Sequence, residues 1–324
     1  MDLSALQVSL APYNKDYAPL MDWCPYVMRG GRPNLRGAVL NTDSIGFRIS
    51  SDGKTVAKVD DMDANETPKG LILGNSVAFG VNCSSDEAVV SSRLMALSGH
   101  PWYNLASRAY TLTQELIAAT LHPATHVKWM ASISGINELT LVLLGGYSHQ
   151  GDSYFGAPEF QSRMGARPRK FLGRTILVYP RQASHETSLE TAYARMMAAT
   201  KKRLRGYKLL ASAHGARGLL VLQPVLGFSA KELTSEERTL AAASDASEDT
   251  RSLVVLNPRT MELWYKRFVK DLAEGCSQLK IEFVNANEFP QLLTPDWLFW
   301  DRVHLTDLGH ARLAEAIWER LSDS

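Results

Sequence analysis

The sequence contains few cysteines and no excess of charge of either sign. Cys24, Cys83 and Cys276 stand far apart in 324 residues. An odd, sparse set of this kind argues against a disulfide framework and fits a reducing compartment. The 35 Lys and Arg residues balance 34 Asp and Glu residues, so the formal net charge is +1. Such a chain has no global field that would attract nucleic acid or an anionic membrane, and we expect no nucleic-acid partner.

Long apolar runs and the usual cofactor motifs are also missing. No stretch approaches the roughly 20 apolar residues that a membrane span needs, and the first residues lack the basic and apolar regions of a signal peptide. We therefore expect a soluble cytoplasmic protein without a membrane span. His122, His126 and His149 lack metal-ligand spacing with any carboxylate, and neither GxxxxGKS/T nor GxGxxG follows a strand. We expect no metal and no cofactor.

Apolar runs alternate with helical periodicity along most of the chain. This alternation predicts an α/β fold, a three-layer α/β/α sandwich with a central parallel sheet of about five strands. The predicted strands cover residues 70–76, 102–106, 126–134, 218–226 and 280–286. The predicted helices cover residues 86–97, 112–121, 188–213, 258–278 and 306–321.

Three regions lie outside this alternation. Residues 1–66 form an amino-terminal extension packed on the core, in which two short strands are predicted around the Asp52-Gly53 turn. The main domain, residues 67–324, carries two insertions. The first, at about 145–213, begins as a lid-like stretch and returns through a long helix. The second, 228–252, consists of polar and small residues and predicts a mobile excursion.

A serine stands where the first predicted strand ends, in Gly74-Asn75-Ser76-Val77-Ala78-Phe79-Gly80. In an open parallel sheet, ligands bind beyond the carboxyl ends of the strands. A serine between small residues at that place can attack a bound carbonyl group. A serine there can also do no more than cap the segment that follows, and the motif alone is compatible with both interpretations.

Near the other end of the chain, an aspartate precedes a histidine by three residues, in Asp301-Arg302-Val303-His304. A serine hydroxyl is a poor nucleophile until an imidazole takes its proton, and the imidazole needs a carboxylate that fixes its tautomer. This segment can supply both groups. Asp307 and Asp296 are also near His304 in sequence, but Asp307 is expected in the first turn of the last helix, beside its positive end.

Together, GNSxxFG after the first strand and DxxHLTxxGH before the last helix resemble the SGNH/GDSL hydrolase family. Three further blocks fit this resemblance, which spans residues 40–321. The segment Gly135-Ile136-Asn137-Glu138 is similar to the GxND block of the family. Residues 104–110 resemble its Asn-containing glycine block, and residues 41–48 resemble an NxxGFR lead-in found in some bacterial members.

The resemblance implies an enzyme that cleaves a carboxylic ester through an acyl-serine intermediate without a cofactor. Ser76 would be the nucleophile, His304 the general base and then the general acid, and Asp301 the orienting carboxylate. The expected substrate is an O-acylated or O-acetylated sugar or a small metabolite. Acyl chain length, alcohol moiety, pathway and oligomeric state stay open. The alternatives are an acyltransferase or thioesterase with the same triad, and a catalytically impaired binding module on the same fold.

The resemblance also implies three donors to the oxyanion of the reaction. They are the backbone N–H of Ser76, the side-chain amide of Asn137 and a backbone N–H from the second block. The last donor is Ala109 or, in another register, Ala106, and we favour Ala109. Either alanine replaces a glycine of the family, and its methyl group narrows the site and disfavours a positive φ.

Overall fold

A computed structural model of the chain describes residues 21–64, 66–144, 167–171, 174–178, 188–246 and 258–322, together with residue 155. The strands are β1 Met21–Cys24, β2 Met28–Gly31, β3 Ser50–Ser51, β4 Val56–Ala57, β5 Lys69–Gly74, β6 Trp102–Asn104, β7 Val127–Ser134, β8 Arg167–Phe171, β9 Arg174–Val178, β10 Arg217–Leu222 and β11 Glu282–Asn285. The α-helices are α1 Ser76–Phe79, α2 Val90–Ser98, α3 Leu112–Leu121, α4 Ile136–Leu143, α5 Leu189–His214, α6 Ser235–Ala246, α7 Pro258–Leu279 and α8 Asp307–Ser322.

Five parallel strands form the central sheet, in the order β11-β10-β7-β5-β6. The strand β5 is buried along its whole length, as expected for a strand covered on both faces. Because β5 lies between its two successors in the chain, β6 and β7, the strand order reverses there. This is the switch point at which open α/β sheets bind their ligands, beyond the carboxyl ends of the strands.

Helices cover both faces of the sheet. The helix α2 packs against α8, whereas α5 packs against α3, α4 and α7. The chain moves in one direction along the sheet from β5 to β6, and in the opposite direction from β6 through β7 and β10 to β11. Because crossovers between parallel strands are right-handed, a change of direction places the connecting helices on the opposite face of the sheet. The predicted three-layer sandwich with a five-stranded parallel sheet is confirmed.

The helix predicted over residues 86–97 is interrupted in the structure. A 3₁₀ turn covers Asp86–Ala88, and α2 begins only after Val89, whose backbone is extended with ψ 155°. The side chain of Val89 is fully buried and packs directly against the backbone of Gly80. This packing accounts for the extended residue between the two helical pieces.

The segment 228–252, predicted as a mobile excursion, contains a helix in the part that the structure describes, and its mobility stays a prediction. The helix α6 lies there, with the side chains of Leu240 and Ala241 buried. Its start is a capping box in which Thr234 Oγ1 accepts from the N–H of Glu237 and the Glu237 carboxylate accepts from the N–H of Thr234. This T-x-x-E signal is visible in the sequence. Residues 247–252 lie outside the described residues.

The regions around the core contribute short hairpins. In the amino-terminal extension, β1 pairs with β2, and β3 pairs with β4 around Asp52-Gly53 as predicted. In the first insertion, β8 pairs antiparallel with β9, but most of residues 145–187 lie outside the described part of the chain. The lid and the domain boundary at residue 66 stay predictions. Among the described helices, none combines the length and the apolar character needed to cross a membrane.

Candidate active site

The side chains of Ser76, His304 and Asp301 meet at the carboxyl edge of the sheet. Ser76 begins α1 directly beyond β5, and His304 lies just before α8. The Nε2 atom of His304 is 2.9 Å from the Ser76 hydroxyl oxygen. On the other side of the ring, Nδ1 is 2.6 Å from Oδ2 of Asp301. The structure therefore joins these three residues in one hydrogen-bonded chain, although Ser76 and His304 are 228 positions apart.

Asp301 begins a tight turn in the loop formed by residues 297–306. Its Oδ1 atom accepts hydrogen bonds from the backbone N–H groups of Val303 and His304, each at 2.8 Å. A single carboxylate therefore holds both the backbone and the imidazole of His304. Burial acts to raise the pKa of Asp301, but the charge of His304 and the hydrogen bonds outweigh it, so the pKa lies below its ordinary value. Asp301 is ionised at neutral pH, the state that can orient the imidazole.

The other two aspartates near His304 have different surroundings. Asp307 lies in the first turn of α8, as expected. Its carboxylate accepts from the N–H of Ser84 at 2.9 Å and from the Ser84 hydroxyl, and so ties α8 to the loop that follows α1. No hydrogen bond in the described residues joins Asp307 or Asp296 to His304. The structure therefore leaves Asp301 as the carboxylate that faces the imidazole.

Asn75 holds the amino end of the nucleophile helix. Its Oδ1 accepts from the N–H of Val77 at 3.1 Å, which satisfies a donor that the start of a helix leaves unpaired. Its Nδ2 donates to Oε1 of Gln223 at the end of β10. An ionised aspartate could accept but not donate. The contact with Gln223 ties the start of α1 to the end of β10.

Arg48, from the NxxGFR block of the amino-terminal extension, holds the other end of α1. It is fully buried, donates to the carbonyl oxygen of Gly80 at 2.6 Å and pairs with Asp86 at 2.8 Å. Orphan carbonyls at the end of a helix are stabilised by a cationic donor. The block therefore has a structural role beside the nucleophile, which the sequence pattern did not assign.

Solvent reaches this edge of the sheet at a few isolated positions. Within residues 69–81, all of which the structure describes, only Ser76 is partly exposed; within residues 129–142, only Asn137 is. In the segment 102–110, Arg108 and Ala109 are the partly exposed residues. Three otherwise buried segments therefore each present to solvent a residue that the motif analysis selected.

The two alanines considered as oxyanion donors differ in the partners of their N–H groups. The N–H of Ala106 donates to Oδ1 of Asn104 at 3.1 Å, and Ala106 is fully buried. The N–H of Ala109 has no acceptor among the described residues, and neither does the N–H of Ser76. Ala109 has φ +61°, the left-handed conformation that a glycine would adopt without strain. This geometry is compatible with Ala109 and not with Ala106 as a donor.

Asn137 lies in the first turn of α4, directly beyond β7. Its Nδ2 donates to the carbonyl oxygen of Tyr110 at 2.7 Å, so this contact joins the second and third blocks across the switch point. An amide group carries two N–H bonds, which leaves one for a ligand.

Two titratable groups near the site, His310 and Cys83, are buried in the core. His310 is fully buried in α8, where burial, with smaller contributions from nearby positive charges, lowers its pKa to about 3. Burial raises the pKa of the Cys83 thiol well above its ordinary range, so Cys83 is a packed thiol. Among the described residues, no group of three His, Cys, Asp or Glu side chains could hold a metal ion.

Two residues beside the site were missed by sequence reasoning. Gln223 receives the Asn75 amide, and Glu237 accepts two backbone N–H groups of the 297–306 loop. The capping box at Thr234 was a signal for the helix that carries Glu237. No local signal marks Gln223, because its partner is 148 positions away.

Three solved structures are among those similar to this chain. They are an acetyl xylan esterase (11% identity, 78% of this chain and 98% of the other, TM-score 0.42), phospholipase A1 from Streptomyces albidoflavus NA297 (12%, 78% and 98%, 0.46) and a protein described as lipolytic, of the G-D-S-L family, from Desulfitobacterium hafniense DCB-2 (12%, 79% and 99%, 0.38). No protein-family model and no curated protein sequence matches the chain. At these identities and TM-scores, the roles of the site residues rest on the geometry of this chain alone.

Proposed function

We propose that the chain is a serine hydrolase that cleaves a carboxylic ester through an acyl-serine intermediate. The observation that carries the proposal is the continuous contact from Ser76 through His304 to Asp301, with heavy-atom distances of 2.9 and 2.6 Å. A nucleophile, a base within hydrogen-bonding distance and a carboxylate that orients the base are the three parts that this chemistry needs.

In the first half of the reaction, the Ser76 oxygen attacks the carbonyl carbon of the ester and His304 Nε2 takes the hydroxyl proton. The tetrahedral intermediate then expels the alcohol oxygen, which receives that proton from His304, and the acyl group stays on Ser76. In the second half, a water molecule gives a proton to His304 and its oxygen attacks the acyl carbon. Collapse of this intermediate releases the carboxylic acid and returns the proton to Ser76. Asp301, ionised, stabilises the imidazolium in both halves.

The oxyanion of both tetrahedral intermediates would be met by the backbone N–H groups of Ser76 and Ala109 and by the side-chain amide of Asn137. The first two have no acceptor in the described residues, and the third holds one hydrogen bond to Tyr110. Donors already in place stabilise developing charge without reorganisation, and each is worth about 2.7–4 kcal/mol of the barrier.

We propose an O-acyl ester of a sugar or a small metabolite as the substrate. Two partly exposed indole rings, those of Trp297 and Trp300, lie just before Asp301 with their centroids 4.5 Å apart. Aromatic side chains with a few placed polar groups are typical of small-molecule sites.

The three cysteines are unpaired thiols, which supports a cytoplasmic location.

The test replaces the two residues that exchange the proton. Ser76→Ala and His304→Ala should each remove nearly all turnover of p-nitrophenyl acetate and acetylated sugars while the far-ultraviolet spectrum and unfolding midpoint stay unchanged, because nucleophile and base act as a unit. Ser277→Ala, an exposed serine of α7, is the matched control. A fluorophosphonate probe should modify Ser76, identified by peptide mass, in the wild type and the control.

Retained turnover in Ser76→Ala would reject the nucleophile, and absence of labelling in the wild type would favour the impaired binding module. Product analysis with water and an added alcohol then separates ester hydrolysis from acyl transfer.

A further inference from the structure

A buried ion pair lies beside the 297–306 loop. The side chains of Lys231 and Glu237 are both completely buried, and their Nζ and Oε2 atoms are 2.7 Å apart. The same Oε2 accepts from the N–H of Thr234 at 3.0 Å. The other oxygen, Oε1, accepts from the N–H groups of Leu298 and Phe299 at 2.9 and 3.2 Å. One carboxylate therefore joins the start of α6 to the segment just before Asp301.

Overall stability alone is a weak explanation for this arrangement. Removing two charges from water costs several kcal/mol per ion, and apolar residues of similar volume often serve as well or better. What an apolar pair could not provide is an acceptor for the N–H groups of Leu298 and Phe299. A carboxylate accepts several hydrogen bonds at once, and Lys231 compensates the charge that the carboxylate brings into the core.

The two N–H groups belong to the half of the loop that pairs with His304 and its neighbours. Phe299 forms an antiparallel bridge with Leu305, and the N–H of Trp300 donates to the carbonyl oxygen of His304 at 2.8 Å. A movement of the backbone at Leu298 and Phe299 would therefore displace both partners of the Asp301–His304 hydrogen bond.

We propose that Glu237, held in place by Lys231, is a positioning residue for Asp301 and His304. The inference rests on the proposed function. Glu237 acts through the backbone of the loop and contacts no reacting atom. Its loss should lower kcat and leave KM nearly unchanged, since a displacement of about 1 Å in a catalytic group can cost roughly 100-fold in rate.

The central variant of the test is the double substitution Lys231→Met with Glu237→Leu. It removes both charges together, so that neither is left uncompensated in the core, and the stability that it loses is the cost of the N–H groups left without an acceptor. It also removes the acceptor for the two N–H groups. The single variant Glu237→Leu leaves the buried Lys231 amine without its carboxylate partner and should be less stable than the double variant.

The stability control is Ile281→Ala. Ile281 is buried just before β11, at the amino edge of the sheet and away from the site. This variant should lower the unfolding midpoint and leave kcat at the wild-type value. It separates a loss of positioning from a general loss of stability.

Three measurements are made on each full-length variant: kcat and KM on the best ester, hydrogen exchange of the Leu298 and Phe299 amides, and the far-downfield proton resonance of His304 Nδ1–H. In the double variant we expect kcat to fall about 10- to 100-fold, both amides to exchange faster and the resonance to shift or broaden, while Ile281→Ala changes none of these. A double variant with the wild-type kcat and resonance would overturn the inference, whatever the exchange rate of the two amides. So would a kcat that follows the unfolding midpoint equally in all variants. The exchange and resonance measurements need no turnover and therefore decide the inference even if Ser76→Ala has rejected the proposed function.

Discussion

Individual carboxylates around His304 differ in what they hold. The Oδ1 atom of Asp301 accepts from the backbone of the turn and its Oδ2 faces the imidazole, whereas the Asp307 carboxylate holds Ser84. These contacts distinguish the roles of Asp301 and Asp307, which lie equally far from His304 along the sequence.

Asp301→Asn should lower kcat by about 10⁴-fold. The asparagine can keep Oδ1 as an acceptor for the turn, so the backbone should stay in place. Its amide N–H₂ would then face His304 Nδ1 and impose the wrong tautomer. The matched variant Asp307→Asn should cost little stability and leave kcat nearly unchanged. Steady-state kinetics on both variants decide the matter, and a larger loss for Asp307→Asn would contradict the triad.

Asn137→Ala should lower kcat by about 10²–10³-fold with little change in KM, as for the loss of one oxyanion donor. The substitution also removes the hydrogen bond to Tyr110, so the unfolding midpoint has to be measured beside the kinetics. A change confined to KM would instead assign Asn137 to substrate binding.

The nucleophile helix α1 is only four residues long and depends on its ends. Asn75 caps the first turn, and Gly80 ends the helix in the left-handed conformation with φ +86°. Gly80 donates its N–H to the carbonyl oxygens of Ser76 and Val77. A helix this short has no stability of its own, so these contacts hold the serine at the edge of the sheet.

Gly80→Ala and Gly53→Ala form a matched pair that separates conformational strain from crowding. Gly53 has φ +83° and open space around it, whereas a Cβ at Gly80 would lie 2.3 Å from a methyl group of Val89. Gly53→Ala should cost about 1–2 kcal/mol for the left-handed alanine. Gly80→Ala should cost about 1–3 kcal/mol more for overpacking and should lower kcat by displacing Ser76. Urea unfolding and kinetics test this, and equal losses in both variants would argue against it.

At the scale of the whole molecule, the parallel sheet assembles the site. Ser76, Ala109 and Asn137 follow β5, β6 and β7, and the 297–306 loop follows β11.

The core of the molecule also contains the buried carboxyl group of Glu115, which accepts from the hydroxyls of Ser132 and Ser134 on β7. Burial, and then the charge of Glu138, raise the pKa of Glu115 to about 8.

The elevated pKa of Glu115 makes stability depend on pH. Between its ordinary value of 4.5 and about 8, the folded protein holds a proton that the unfolded chain releases. Stability therefore falls as pH rises through this window, by at most about 1.4 kcal/mol per pH unit. His310, with a pKa of about 3 against an ordinary 6.5, acts in the opposite direction below pH 6.5.

Glu115→Gln should therefore flatten the decrease in stability between pH 6.5 and 8, where Glu115 acts without opposition from His310. Urea unfolding of wild type and variant at both pH values measures this difference. An equally steep decrease in the variant would show that Glu115 does not hold its proton in the folded protein.

From the sequence we could predict the order and type of the core elements and the segments that carry the candidate site. Buried parallel strands are continuous apolar runs, so β5, β7 and β10 were visible as such. The GNS and DxxH motifs are local in the chain, and the turn formed by Asp301 is local as well. For these features, the residues that interact are neighbours in sequence.

The contacts between side chains and backbone groups depend on how the elements pack. The tertiary structure showed that the N–H of Ala106 is bound by Asn104 while that of Ala109 is not, that Val89 interrupts a predicted helix by packing on Gly80, and that Glu237 receives the 297–306 loop. Hydrogen bonding and close packing depend on distances below 4 Å between atoms that the fold brings together. The periodicity of the sequence predicts helices and strands but not the distances between atoms of different elements. These contacts could therefore be identified only in the folded structure.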